Sequence, residues 1–237
     1  MDDSVEKIRR YIDSSPASVK LLLNESNSGS VFRQWGKGIS AARGDYIWIA
    51  EADDLSDERF LSEVMKGFFD PDVILSYSQS RQIDSKGKEI GPNYLKYTSE
   101  IDEEKWKENY LRKGTSEICD SLVIKNSIPN VSATVFKKID MTEVLNELIK
   151  FKNAGDWYFY VWLLQKGDIY FVSESLNIHR RHGNSITLKE NPQSHFNEIV
   201  AVQDYILSHF YVDETNVIKA MKYRDYVKGY FSKQKET

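Results

Sequence analysis

Glu51-Ala52-Asp53-Asp54 puts three carboxylates within four residues, directly after the apolar run Tyr46-Ile47-Trp48-Ile49-Ala50. Clustered carboxylates repel one another and need a counter-ion or solvent. Oxygen ligands suit Mg2+ or Mn2+, metals that commonly bridge a few carboxylates to substrate phosphates. The same segment also reads as a solvated acidic turn whose last aspartate caps the next helix. Asn27-Ser28-Gly29 precedes a helix, and a helix N-terminus after a Gly-containing loop can hold an anion. Asn and Gly also dominate ordinary turns for conformational reasons. In Gly155-Asp156-Trp157 one acid opens an otherwise aromatic helix, as a general base beside apolar surface or as an N-cap. His179-Arg180-Arg181-His182 ends a strand. It can meet a diphosphate or a metal, or it is a solvated basic loop. Alternation puts His179 and Arg181 on one face, Arg180 and His182 on the other.

The elements that position these residues follow from periodicity. Ser4 caps a helix with Val5, Ile8 and Ile12 on one face, and Ser14-Ser15-Pro16 ends it. Val19 to Leu23 reads as a short buried strand. Val31, Trp35, Ile39 and Ala42 follow helical spacing and stop before Gly44. Tyr46 to Ala50 is the nearly continuous apolar run of a strand buried on both faces of a parallel sheet. A helix with Phe60, Leu61, Val64, Met65 and Phe68 inside precedes a strand at Val73 to Tyr77. This alternation predicts an α/β domain with a mostly parallel sheet. A hairpin or exposed loop spans Gln79 to Ile90, and a strand is expected at Val131 to Phe136. A helix covers Gly155 to Lys166, and two short strands cover Ile169 to Val172 and Leu176 to Arg180. The chain is helical after Pro192.

The chain has 237 residues, 41% of them hydrophobic and 29% charged, enough to bury a core. The net charge of −4 counts against a nucleic-acid binder. Cys119 is the only cysteine, so an intrachain disulfide and a Cys-based metal site are excluded. The first residues lack the pattern of a signal peptide, and the apolar runs are too short to span a bilayer. A cytoplasmic protein is expected, with peripheral contact at the inner face of the membrane left open.

Together these segments carry a resemblance. In order, Asp2-Asp3-Ser4, Asn27-Ser28-Gly29, Gly38-Ile39 with Ala42, Gly44-Asp45-Tyr46-Ile47, Glu51-Ala52-Asp53-Asp54, Ile83-Asp84 with Gly87-Lys88, Asn130-Val131-Ser132-Ala133, Gly155-Asp156-Trp157, and Leu176-Asn177 with Arg180-Arg181-His182 resemble family 2 glycosyltransferases. The resemblance runs from Asp2 to about Thr187. It implies a GT-A fold over residues 1–190 with a helical extension over 191–237. It also implies inverting transfer of a sugar from a nucleotide-sugar, a UDP-sugar in the first instance, to a glycan or saccharide hydroxyl. The family's DXD-type motif maps onto Glu51, Asp53 and Asp54. Glu51 stands where an aspartate is more usual. The metal, Mn2+ or Mg2+, falls to Asp53, Asp54 and the late histidine His182, and the catalytic base maps onto Asp156. Asp3 maps onto a nucleotide-binding acid, and Asn27 and Arg43 lie in segments that line the nucleotide pocket.

The family normally opens with two strands and a helix that are not found ahead of Asp2-Asp3-Ser4. That implies an N-terminally truncated sheet, open at an edge and prone to self-association. The alternative function is a truncated, inactive nucleotide-sugar-binding domain or a fragment of a larger glycosyltransferase. A phosphohydrolase built on the acidic turn is a third reading, and it leaves Asp156 unexplained.

Overall fold

The computed structural model describes residues 3–14, 18–181 and 192–233. Helices α1 (Ser4–Ser14) and α2 (Val31–Ala41) come first, then β1 (Tyr46–Trp48), β2 (Leu55–Ser56) and α3 (Phe60–Val64), which tightens into a 3-10 turn at Met65–Phe69. The middle of the chain holds β3 (Val73–Ile83), β4 (Glu89–Gly91), α4 (Leu95–Thr98), β5 (Tyr110–Arg112), α5 (Gly114–Glu117) and a π-helical turn at Ile118–Leu122. Next come β6 (Thr134–Lys137), α6 (Thr142–Leu148), α7 (Gly155–Leu164) and β7 (Asp168–Arg180). Two long helices, α8 (Pro192–His209) and α9 (Glu214–Lys233), close the described chain.

One seven-stranded sheet runs β1-β6-β3-β7-β2, with β4 added to β3 and β5 to β7. The expectation of a mostly parallel sheet is corrected here. The sheet is mixed, and of its ladders only the longest, β3 with β7, is parallel. The segment Val19 to Leu23 forms no strand, and Val19 and Leu23 are exposed. Among the described residues β1 pairs only with β6 and lies at the sheet edge, and Tyr46 and Trp48 stay 39% and 36% exposed. Its apolar character has a different source from the one expected. Ile47 enters the core, while Tyr46 meets Phe68 at 4.6 Å and Trp48 meets Phe60 at 5.0 Å.

The two strands expected at Ile169 to Val172 and Leu176 to Arg180 are one strand. Its register against β3 shifts around Ser78 and Gln79, which accounts for the break in the apolar pattern. Val135 and Phe136 on β6, and Phe171 and Val172 on β7, fall into different apolar clusters, so the sheet is buried on both faces. α3 covers one face with Phe60 and Val64. The other cluster holds Phe32, Trp35 and Ile39 of α2 and most of α7. It also takes in Ile199, Val202 and Ile206 of α8 and Ala220 and Val227 of α9. Full burial of side chains such as Phe136 and Phe159 contributes about 1.5–3 kcal/mol each. The helices beyond residue 191 thus share the core with the sheet. α1 forms as expected, but it buries none of its residues. No helix among the described residues is long and apolar enough to cross a membrane.

Candidate active site

The acidic turn links β1 to β2 and is held by bonds from distant segments. Ser132 Oγ accepts the N–H of Glu51 at 3.0 Å, and the Trp48 indole donates to the Ser132 carbonyl at 2.8 Å. Asp54 is gripped on both oxygens: Oδ1 accepts the Arg180 backbone N–H at 2.8 Å, and Oδ2 accepts Asn130 Nδ2 at 3.0 Å. Asn130 also donates to Asn177 Oδ1 at 2.8 Å, which accepts Ser80 Oγ at 3.1 Å as well. Asn177 is fully buried and returns a bond from Nδ2 to the Leu55 carbonyl at 3.2 Å. Asp54 therefore ties the turn to the end of β7. Asp53 is exposed at its tip.

Glu51 points inward from the same turn. Burial, then the charges of Asp54, Asp53 and Asp156, push its carboxyl up to about 7, against a smaller opposing hydrogen bond from Trp35 of α2. The Arg180 guanidinium donates to the backbone carbonyls of Asp53 and Asp84. An all-oxygen donor set with accumulated negative charge suits a hard divalent cation. Asp53 and Glu51 fit that role; Asp54 fits it only through lone pairs not already used by its two donors. Among the described residues no group of three or more His, Cys, Asp or Glu side chains is placed to hold a metal ion. His182 lies outside the described residues.

Asp156 sits in the first turn of α7, with Ala154 as the helix cap. Its Oδ1 accepts the N–H of the next residue, Trp157, at 2.8 Å, which is not the bond of an N-cap. Burial raises its carboxyl to about 6, more than the bonds from Trp157 and Asn126 lower it. The charge of Asp156 acts on Glu51, and both act on the buried hydroxyl of Tyr160, one turn along α7. Among the described residues that hydroxyl has no hydrogen-bond partner. The charge of Asp156 at the opening of α7 thus reaches the acidic turn, about a hundred residues away in sequence.

The remaining expected residues are dispersed. Asn27 shapes a turn, its Oδ1 accepting the Gly29 N–H at 3.0 Å. Asp3 pairs with Lys7 at 3.0 Å within α1. Arg43 is exposed beyond α2. His179 shares a 2.6 Å hydrogen bond with the Tyr94 hydroxyl, and Arg181 acts on the same tyrosine, so these two lie on one face as the alternation predicts. Sequence reasoning missed Trp35, Asn126 and Tyr160 as site residues. It met Asn130 and Asn177 only inside matching segments, without a role.

The family model for glycosyl transferase family 2 matches residues 1–125. No curated protein matches the chain. Among solved structures, the chain is similar to S. aureus TarS 1–349 in complex with UDP-GlcNAc, with a TM-score of 0.62 and 14% identity, covering 98% of this chain and 59% of that one. TarS 1–349 with UDP gives a TM-score of 0.61 at 12% identity, covering 98% and 58%. The whole TarS gives 0.58 at 12% identity, covering 98% and 35%. The chain thus spans less than two thirds of these proteins. Its mixed α/β fold matches GT-A glycosyltransferase structures.

Proposed function

We propose that this chain, which belongs to glycosyl transferase family 2, moves a sugar from a nucleotide-sugar, a UDP-sugar, to a saccharide or glycan hydroxyl with inversion at the anomeric carbon. The observation that carries the reading is that Glu51 and Asp156, carboxylates from distant segments, both have raised proton affinity, with the charge of Asp156 acting on Glu51. The solved structures with UDP-GlcNAc and UDP support the choice of nucleotide.

Asp53, with Glu51 beside it and Asp54 and His182 as further candidates, would hold Mn2+ or Mg2+. When bound, such a cation offsets the charge that builds on the leaving diphosphate. Asp156 takes the proton of the acceptor hydroxyl as that oxygen forms its bond to the anomeric carbon and the nucleoside diphosphate departs. A carboxyl near pH 6 is ionised at neutral pH and a better proton acceptor than an ordinary aspartate. Asp3, Asn27 and Arg43 are nucleotide-side candidates by resemblance alone.

A product assay over a panel of nucleotide-sugars, paired with calorimetry of UDP with and without Mn2+, tests this. Asp156→Asn is expected to lower transfer on the order of 10²–10⁴-fold while UDP binding persists. Near-normal turnover in that variant would remove Asp156 from the chemistry. UDP binding that is equal with a chelator present would remove the metal.

A further inference from the structure

Asn126 meets Asp156 inside a fixed hydrogen-bond frame. Its Nδ2 donates to Asp156 Oδ2 at 3.0 Å. Its own Oδ1 accepts the Ile128 N–H at 3.3 Å, which sets which end of the amide faces the carboxylate. Its backbone carbonyl accepts the Tyr97 hydroxyl at 3.0 Å. The segment before it is braced as well. The Trp157 indole donates to the Leu122 carbonyl at 2.9 Å, and Gln203 of α8 donates to the carbonyls of Val123 and Ile124 at 3.1 and 2.8 Å. A π-helical turn, Ile118–Leu122, leads into it, a feature that often accompanies functional sites.

We infer that Asn126 is the positioning residue that aims the Asp156 carboxylate at the acceptor. The inference rests on Asp156 being the base. With Oδ1 held by the Trp157 N–H and Oδ2 by Asn126, the carboxylate plane cannot rotate freely about its bond to Cβ. A base must lie within hydrogen-bond reach of the proton it removes, so a fixed plane is worth rate.

The residue type follows from what else faces Asp156. Glu198 of α8 acts to protonate it, while Tyr97 and Tyr160 are neutral neighbours with raised proton affinity. An acid at 126 would add a second repelling carboxylate. A lysine would stabilise the charge enough to blunt the base. An amide supplies a donor without a charge.

The test uses the full chain. Carboxyl 13C NMR follows the Asp156 titration, its resonance identified by its loss in Asp156→Asn. Asn126→Ala is expected to raise the midpoint by about one pH unit, the size of one lost hydrogen bond to a charged group, and Asn126→Asp to raise it further. With UDP-GlcNAc as the probe donor, Asn126→Ala should lower kcat with KM unchanged, and the acid limb of its pH profile should move up with the NMR midpoint. An unmoved midpoint in folded Asn126→Ala overturns the inference; if that variant does not fold, Asn126→Ser is read the same way. Failure of the underlying reading looks different: Asp156→Asn would keep its turnover, while the midpoint in Asn126→Ala could still move.

Discussion

Glu198 on α8 accepts the backbone N–H of Ala154, the cap of α7, at 2.9 Å. The same carboxylate accepts the N–H groups of Asn153 and Lys152 at 2.8 and 3.0 Å. α7 has no side-chain cap of its own, so a helix from beyond residue 191 supplies the anion at its start. Glu198→Ala leaves three amides without this partner and is expected to cost about 1.5–3 kcal/mol. Glu198→Gln, which keeps one acceptor oxygen, should cost less. Denaturant midpoints would measure both. Transfer should fall in both variants, because the loop they loosen leads directly into Asp156.

Asp53 and Asp54 are neighbours with different work. Asp54 holds the turn to Asn130 and to the Arg180 backbone, whereas Asp53 stands exposed. Asp53→Ala is expected to abolish the Mn2+-dependent part of UDP binding and to lower the melting temperature less than Asp54→Ala does. Asp54→Ala should lower both, and Asn130→Ala should reproduce its loss of stability, since each leaves a buried partner unpaired at about 1–3 kcal/mol. Calorimetry and thermal melts on the same samples separate the two roles. Equal melting temperatures for Asp53→Ala and Asp54→Ala would deny the anchor.

Stability should also depend on pH in a direction set by the two raised carboxyls. Glu51 moves from 4.5 to about 7, and Asp156 from 3.8 to about 6. The folded chain binds these protons more tightly than the unfolded chain does. Their contribution is therefore favourable at low pH and is lost as pH rises from about 4 to about 7. For Glu51 this is roughly 3 kcal/mol. In chelator, the melting temperature should fall between about pH 4.5 and 7.5, and Glu51→Gln should flatten that slope. Added Mn2+ should restore stability at the upper end. An unchanged slope in Glu51→Gln would show that Glu51 does not titrate in this window.

The acidic turn and Asp156 were legible because their chemistry is local: three acids in four residues, and one acid before a run of aromatics. Helices α2 and α3 were legible from spacing, and α7 from its aromatic run. The partners were not. Asn126, Asn130, Asn177 and Glu198 are single polar residues whose meaning comes from groups 30 to 122 residues away in the chain. Strand direction was misjudged for a related reason. An apolar run signals burial without naming what covers it, and Tyr46 and Trp48 are covered by Phe68 and Phe60 rather than by parallel neighbours.

Gly155 illustrates how tightly α2 and α7 must approach for the site to form. A Cβ at Gly155 would lie 2.6 Å from Phe32 Cζ and 2.7 Å from Cε2. Phe32 is 3% exposed and packs edge-on against Trp35 at 5.1 Å, so its ring has little room to yield. Trp35 in turn acts on the Glu51 carboxyl. Two effects oppose each other in Gly155→Ala. Alanine is the better helix former by about 1 kcal/mol, while overpacking a filled core costs typically 1–3 kcal/mol. At the first position of the helix the propensity gain is reduced, so overpacking should win. The displaced ring would push Trp35 away from Glu51, and turnover should fall along with stability. Phe32→Leu removes the ring atoms that clash. In the double variant, Gly155→Ala should therefore cost less than in the parent chain, a coupling that a double-mutant cycle on denaturant midpoints would read directly. Additive costs would mean that the two side chains do not meet, and that the close approach of α2 to the start of α7 is not what brings Glu51 to Asp156.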